Sequence, residues 1–243
     1  MLLIEQPELA QTPTVKNIML REEAQWLGKM INSLDEKTVF PLLNLGSSSK
    51  NFREKEQPWI DQYLFRSPRE KGNLVIHTDL KQDGGVDLVG DLNDLVFLEK
   101  IAELKIKSVL CSNLLEHILN PEEICHKISS IIPIDGYLFV TVPYKFPLHL
   151  DPIDTLFRPN INQLCQLFPE LEMVHGEIIE GGKLIQCTSV PPFLYLIVMM
   201  IRLLLPIYQP LRWLNSLRYS LWLFRDISVT CIVFKKTHAQ KLS

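Results

Sequence analysis

The 243-residue chain holds no CxxC pair, no GxGxxG, no GxSxG and no Tyr-x-x-x-Lys. The first absence argues against a zinc ribbon or a dithiol redox centre. The others argue against a dinucleotide fingerprint, a hydrolase elbow and a short-chain dehydrogenase. Basic excess is also missing: Lys and Arg total 25 against 28 Asp and Glu, a net charge of −3. A nucleic-acid partner is therefore not expected, because a binding face needs a surplus of cations. The cysteines number five, Cys111, Cys125, Cys165, Cys187 and Cys231, mostly beside apolar residues. An odd, scattered set reads as reduced thiols in a cytoplasmic protein and not as a disulfide framework. Met1 to Ile4 is apolar but stops at Glu5 and Pro7, so no signal peptide is expected.

What is present centres on residues 107–159. Ser108 to Cys111 is a short apolar run that reads as a buried strand. After Asn120-Pro121, the residues Ile124, Ile128, Ile131 and Ile132 repeat at helical spacing, with Pro at the first position and acids in the first turn. An Asp135-Gly136 turn leads into Tyr137–Val142, a β-branched and aromatic strand closed by Pro143. Strand, helix, strand implies a parallel pair with a crossover helix. Beyond the second strand, His149, Asp151, Asp154 and Arg158 fall in one short loop, where open α/β sheets place their ligands.

Upstream, residues 1–37 read as a leader followed by a helix from about Thr14 to Leu34. Thr38–Leu45 is a continuous apolar strand running into Gly46-Ser47-Ser48-Ser49-Lys50, either a loop whose backbone approaches an anion or a plain surface turn. Residues 51–72 read as a short helix or ordered loop. Asn73–Ile76 is a second strand leading to Asp79, which suits either a ribose-binding acid or a turn cap. Val86–Val89 is a third strand, ending at Asp91, and Asp94–Leu104 a helix. Asn44 with Gly46, Asp79, Asp91, and Ser112 with Asn113 thus end four strands in polar residues at one edge.

The segments NLGSSSK, HTDLK, VDLVGDLNDL, LLEHI, IPIDGYLFVTVP and HLDPIDTLFRP, in that order, resemble the class I S-adenosylmethionine-dependent methyltransferases, nearest a bacterial branch acting on glycans and lipids. The resemblance spans roughly residues 38–180. It implies an α/β, Rossmann-like seven-stranded and mostly parallel sheet, with helices on both faces and S-adenosylmethionine over the strand tips. Gly46, Ser47, Ser48 and Asn44 would face the methionine end and Asp79 with Leu80 the ribose. Asp91 and Leu92 would flank the adenine, and Ser112 and Asn113 would lie beneath the sulfonium. The family's loop usually carries further glycines where this chain has Ser47, Ser48 and Ser49, and a Cβ narrows both conformation and space. A non-catalytic scaffold or binding subunit with a degenerate loop is therefore the alternative.

In the last part of the chain, Leu171–Ile179 and Ile227–Phe234 read as the fold's final antiparallel pair, so the α/β domain comprises 38–180 and 227–236 with a tail at 237–243. Between them 181–226 is an apolar, helical insertion. From Gly181 to Arg225 it carries Lys183, Arg202, Arg212, Arg218 and Arg225 and no acid. A single membrane crossing would put the last strand on the wrong side. Two crossings are interrupted by Arg202, Pro206, Pro210 and Arg212. Helices lying in the interface of an anionic membrane, through 190–225, fit this composition, as does a lid or a dimer contact.

For chemistry, methyl transfer needs alignment and removal of an acceptor proton. His149 is the expected base, with Asp151 or Asp154 orienting it and His117 as the other candidate. Tyr144 and Arg158 are assigned to the acceptor, although Asp151, Asp154 and Arg158 also suit a structural turn. No metal is expected. The expected partners are a glycan, lipid-linked or small-molecule acceptor, the inner membrane face, and an oligomer or complex partner.

Overall fold

The structure, a computed structural model, describes residues 19–149, 153–183 and 225–238, with the single positions Phe193, Ile197, Met200, Ile201 and Trp222. Seven strands form one sheet in the order β3-β2-β1-β4-β5-β7-β6. They are β1 (Leu42–Leu45), β2 (Val75–Asp79), β3 (Leu88–Val89), β4 (Ser108–Ser112), β5 (Tyr137–Lys145), β6 (Glu172–Lys183) and β7 (Asp226–Lys235). β1 to β5 pair in parallel, and β7 runs against both β5 and β6, so one strand alone is reversed. The expected seven-stranded, mostly parallel sheet is the observed one.

Helices cover both faces because the strand residues are apolar on both sides. Leu43, Leu45, Val109 and Cys111 face the helices Leu95–Glu103, Pro121–Ile131 and Ile161–Gln166, which contribute Phe97, Ile101, Ile124, Ile128 and Leu164. Leu42, Leu110 and Phe139 face the helix Arg21–Ser33 and the helical stretch 52–70, with Ala24, Leu27, Ile31, Ile60 and Leu64. Local signals explain the helix starts. Asp94 accepts from the Val96 N–H at 2.9 Å, Asn160 and Gln163 cap each other at 2.9 Å, and Pro121 opens its helix with Glu122 and Glu123 favouring the dipole.

Several boundaries differ from expectation. The run from Thr38 is divided: Glu36–Val39 makes a helical turn capped by Asp35, a cis Phe40–Pro41 bond follows, and β1 begins at Leu42. The second strand is shifted, starting at Val75 and ending on Asp79. β3 is shortened to Leu88–Val89, and β5 continues through Pro143 to Lys145 at a register shift, where the missing N–H of proline is tolerated. β6 extends to Lys183, inside the expected insertion. Residues 52–65 include two π-helical turns, Phe52–Glu56 and Asp61–Phe65. The leader, the tail from 239, and all of 184–224 except the five single positions lie outside the described residues. Among the described residues no helix is long and apolar enough to cross a membrane.

Candidate active site

Register places the strand tips together. Leu45 pairs with Thr78 on β2 and Cys111 on β4, so Gly46 leaves the sheet beside Asp79 and Ser112. Gly46 has φ +63°, and a Cβ there would come within 3.0 Å of a Leu114 methyl. Ser47 donates its N–H to the Thr78 carbonyl at 2.9 Å, and Ser48, at φ +55°, donates its N–H to Asp79 Oδ2 at 2.9 Å. The other oxygen of Asp79 accepts from the Lys81 N–H at 3.1 Å. Each carboxylate oxygen keeps a second lone pair, so Asp79 can still accept from two hydroxyls.

Arg53 locks the loop from behind. Its buried guanidinium donates to the carbonyls of Ser47 at 2.8 Å, Ser48 at 2.6 Å and Gly85 at 2.7 Å. Gly90 donates to the Asp79 carbonyl at 3.1 Å, which sets Asp91 beside it on β3's exit. Asp91 is exposed and accepts from both the N–H and the side-chain amide of Asn93. Leu80 is 67 % exposed at the same rim and Leu92 is buried below. Gly46, Ser47, Ser48, Asp79, Leu80, Asp91, Leu92 and Ser112 therefore share one edge.

Two residues expected there do other work. Asn44 lies within β1, and its side chain points to the face of the helical stretch 52–70, where its amide donates to His77 Nδ1 at 3.0 Å. Burial, with the Arg53 charge adding, lowers the His77 pKa to about 4, so the ring is neutral and free to accept. Asn113, at φ +48°, donates its amide to Glu23 Oε1 at 2.9 Å.

Glu23 is a residue the sequence reading missed. Fully buried, it accepts from Thr141 Oγ1 at 2.5 Å, Asn113 and the Leu20 N–H at 3.0 Å. Desolvation outweighs these bonds and raises its pKa to about 7. In the sequence it looks like an ordinary first-turn acid, and only its place among Ala24, Trp26 and Leu27 hints at burial.

A second group gathers where β4 and β5 end. His117 and His149 meet edge to face, ring centroids 5.3 Å apart, and Phe146 also meets His149 edge to face at 5.8 Å. His149 is buried, its Nε2 is 3.7 Å from Asp154 Oδ2, and its backbone N–H donates to that oxygen at 3.1 Å. The two candidate bases thus converge on one place. Asp151 lies outside the described residues. Tyr144 sits half-buried at the β5 register shift.

Arg158 makes the contacts of the loop-bracing alternative expected for it. Its guanidinium forms a two-pronged pair with Asp154, Nη1 to Oδ1 at 3.0 Å and Nη2 to Oδ2 at 2.6 Å, and Nη1 also reaches the Phe157 carbonyl at 3.1 Å. Such a fork is satisfied by the loop itself. Burial alone would raise the Asp154 pKa, but the Arg158 bonds and the N–H groups of His149 and Leu156 hold it below the usual carboxylate value. Asp154 and Arg158 brace the loop that carries His149.

A cavity of about 310 Å³ opens elsewhere, on the flank of β2, lined in part by Lys50, Arg53, Asp61, Arg69, His77 and Asp87. Its charges are largely matched internally, Arg69 to Asp61 at 2.8 Å and Arg53 to the loop carbonyls, so it reads as a structural ion-pair pocket.

No family model matches the chain, and no curated protein matches it. Solved structures do. A SAM-dependent methyltransferase from Anabaena variabilis aligns with TM-score 0.52 at 9% identity, over 86% of this chain and 82% of its own. A protein from Galdieria sulphuraria, named for sarcosine and dimethylglycine methylation, aligns with TM-score 0.51 at 10% identity, over 88% and 84%. The fold is the class I methyltransferase fold. At such identities the likeness is one of architecture, and in the methyltransferase fold the edge that gathers Gly46, Asp79 and Asp91 is the carboxyl edge, the ligand side of an open α/β sheet.

Proposed function

We propose that the chain is an S-adenosylmethionine-dependent methyltransferase acting on an O or N position of a glycan, glycolipid or other membrane-associated acceptor. The observation that carries the cofactor reading is the register of three strand exits: a side-chain-free Gly46 at positive φ, a half-buried Asp79 and an exposed Asp91 beside Leu80. These residues fit an adenosyl group. Asp79 has lone pairs for the ribose hydroxyls, Leu80 and Leu92 offer apolar faces to the base, and Asp91 an acceptor for its amino edge. When bound, the cofactor supplies an electrophilic methyl group on its sulfonium.

The chain's own residues align the acceptor and take up its proton. His149 is the proposed base, held by the Asp154–Arg158 brace and by Phe146, with His117 beside it. The acceptor reading draws on the insertion. Phe193, Ile197, Met200 and Ile201 are helical and exposed, spaced at i, i+4, i+7 and i+8, and their segment carries bases without acids. An apolar stripe with flanking arginines suits a membrane surface where a lipid-linked acceptor waits.

One observation favours the scaffold alternative: the serine loop is already closed onto Asp79 and pinned by Arg53. Calorimetric titration with S-adenosylmethionine separates the two. Heat of binding in the wild type, lost in both Asp79→Ala and the exposed Asp91→Ala, supports the enzyme. Silence in the wild type rejects the cofactor and leaves the scaffold.

A further inference from the structure

Glu116 is the middle residue of the short turn Leu115–His117 after β4, and its side chain is fully buried. Apart from a contact with its own backbone N–H, neither carboxylate oxygen has a hydrogen bond. A buried carboxylate in that state is costly whichever way it ionises. Charged, it has no hydrogen-bonded cation, because the nearby Arg158 is already forked onto Asp154 and His117 stands 3.8 Å away; protonated, its O–H has no acceptor within hydrogen-bond reach. Burial pushes its pKa up to about 8.

Its neighbours are the two histidines. His117 Nδ1 bonds the Ile153 carbonyl, and a carbonyl only accepts, so Nδ1 carries the proton. The other ring nitrogen, Nε2, lies 3.8 Å from Glu116 Oε1, beyond hydrogen-bond reach of that oxygen. One donor atom from each of Glu116, His117 and His149 lies within 4.8 Å of the others. A cation bound at about 2.1 Å to each ligand spans at most about 4.2 Å between donors. The 3.8 Å pair already fits, and the third donor needs only a small side-chain movement.

We infer that Glu116, His117 and His149 form a binding site for a first-row divalent transition-metal cation such as Zn²⁺ or Mn²⁺. Two imidazoles and one carboxylate are a donor set for such ions and a poor one for Ca²⁺ or Mg²⁺. The Ile153 carbonyl on His117 supplies the outer bond that fixes a ligating ring. Three protein ligands leave coordination positions open for water or for an acceptor oxygen. That last role rests on the methyltransferase reading and replaces the one proposed above for His149: with its lone pair on the ion the ring is a ligand and not the base, and the acceptor proton, its pKa lowered by the ion, leaves to solvent water. Ion binding itself does not depend on that reading.

The test uses the full chain, stripped with chelator and titrated with Co²⁺ and Zn²⁺, followed by visible absorption and by metal content after equilibrium dialysis. One equivalent of tightly held ion is expected, with a Co²⁺ spectrum quenched by Zn²⁺. Affinity should fall at least tenfold in His149→Ala and in Glu116→Gln, the latter keeping shape and so the fold, as checked by its thermal melt. Failure of the wild type to retain an equivalent overturns the site, as does a folded Glu116→Gln that binds as the wild type does. S-adenosylmethionine titration of the same stripped protein is read separately, so loss of the metal site and loss of the cofactor reading are distinguishable.

Discussion

Glu23 on the first helix and Thr141 on β5, 118 positions apart in the chain, are joined by a 2.5 Å hydrogen bond. With Asn113 as third member, this bond ties the helix to the residue that follows β4 and to the middle of β5, the strand that leads into the His149 loop.

The bond carries a pH signature. Desolvation raises the Glu23 pKa from 4.5 to about 7, so the folded chain holds a proton that the unfolded chain releases. A carboxyl shifted upward contributes most below its unfolded pKa, and stability falls as pH rises from about 4.5 to about 7, then levels. The loss attributable to this group is on the order of 3 kcal/mol. Denaturant melts of wild type and Glu23→Gln should cross. The variant is less stable at pH 5, where the Leu20 N–H loses its acceptor, and equal or more stable at pH 8, where no buried charge remains. Parallel curves would reject the assignment. Glu116 shifts in the same direction, so the difference between the two proteins, not the wild-type slope, is the readout.

The glycine at the β1 exit is tested by adding one methyl. Gly46→Ala places a Cβ 3.0 Å from Leu114 at φ +63°, a conformation L residues disfavour by about 1 kcal/mol or more. Stability should drop by 1–2 kcal/mol, on the order expected for such strain, and S-adenosylmethionine affinity by at least tenfold, since the loop must shift. Ser47→Gly, where φ is ordinary, should leave affinity within about threefold. Equal affinity in all three proteins would separate the loop from the ligand.

Much of this could be seen in the chain itself, and the misses have physical reasons. Strands buried on both faces show as unbroken apolar runs, which is why β4, β5 and β7 were legible, and polar residues where β1, β2, β3 and β4 end marked the shared edge. Pro143 looked like a stop because a central strand needs its N–H, yet β5 absorbs it at a register shift. Asn44 looked like a tip residue because sequence gives order along a strand but not how far the strand runs. Glu23 and Glu116 were invisible as buried groups, since an acid on a helix or turn is normally solvated. What buries them are contacts from residues distant in the chain, Thr141 for one and the His149 loop for the other.

The brace behind His149 predicts an asymmetric mutational pattern. Arg158→Ala leaves Asp154, whose side chain is 0% exposed, charged and without its partner, and should cost about 3–5 kcal/mol. Arg158→Lys should recover only part, because an ammonium cannot reproduce the two parallel bonds. The Asp154 pKa is depressed, so this pair's contribution is present at neutral pH and is lost on acidification through the folded value. Thermal melts at pH 7 and pH 3 check both statements: the gap between wild type and Arg158→Ala should shrink at the lower pH. An unchanged gap would mean that the brace is not ionic.

The membrane reading is tested by removing the insertion without disturbing the sheet. Lys183 on β6 pairs with Asp226 on β7, so a short glycine-rich turn can close the hairpin once residues 184–225 are deleted. Intact protein should float with liposomes containing anionic lipid, because the stripe Phe193, Ile197, Met200 and Ile201 enters the interface while Arg202, Arg212, Arg218 and Arg225 meet the lipid charge. Raising salt from 0.1 M to 1 M shortens the screening length from about 10 Å to about 3 Å and should weaken flotation strongly. Neutral liposomes should recruit less. The shortened protein, if its melt shows an intact sheet, should stay in the aqueous fraction; should it float as well as the intact chain, attachment lies elsewhere and the apolar stripe faces a lid or a second protein.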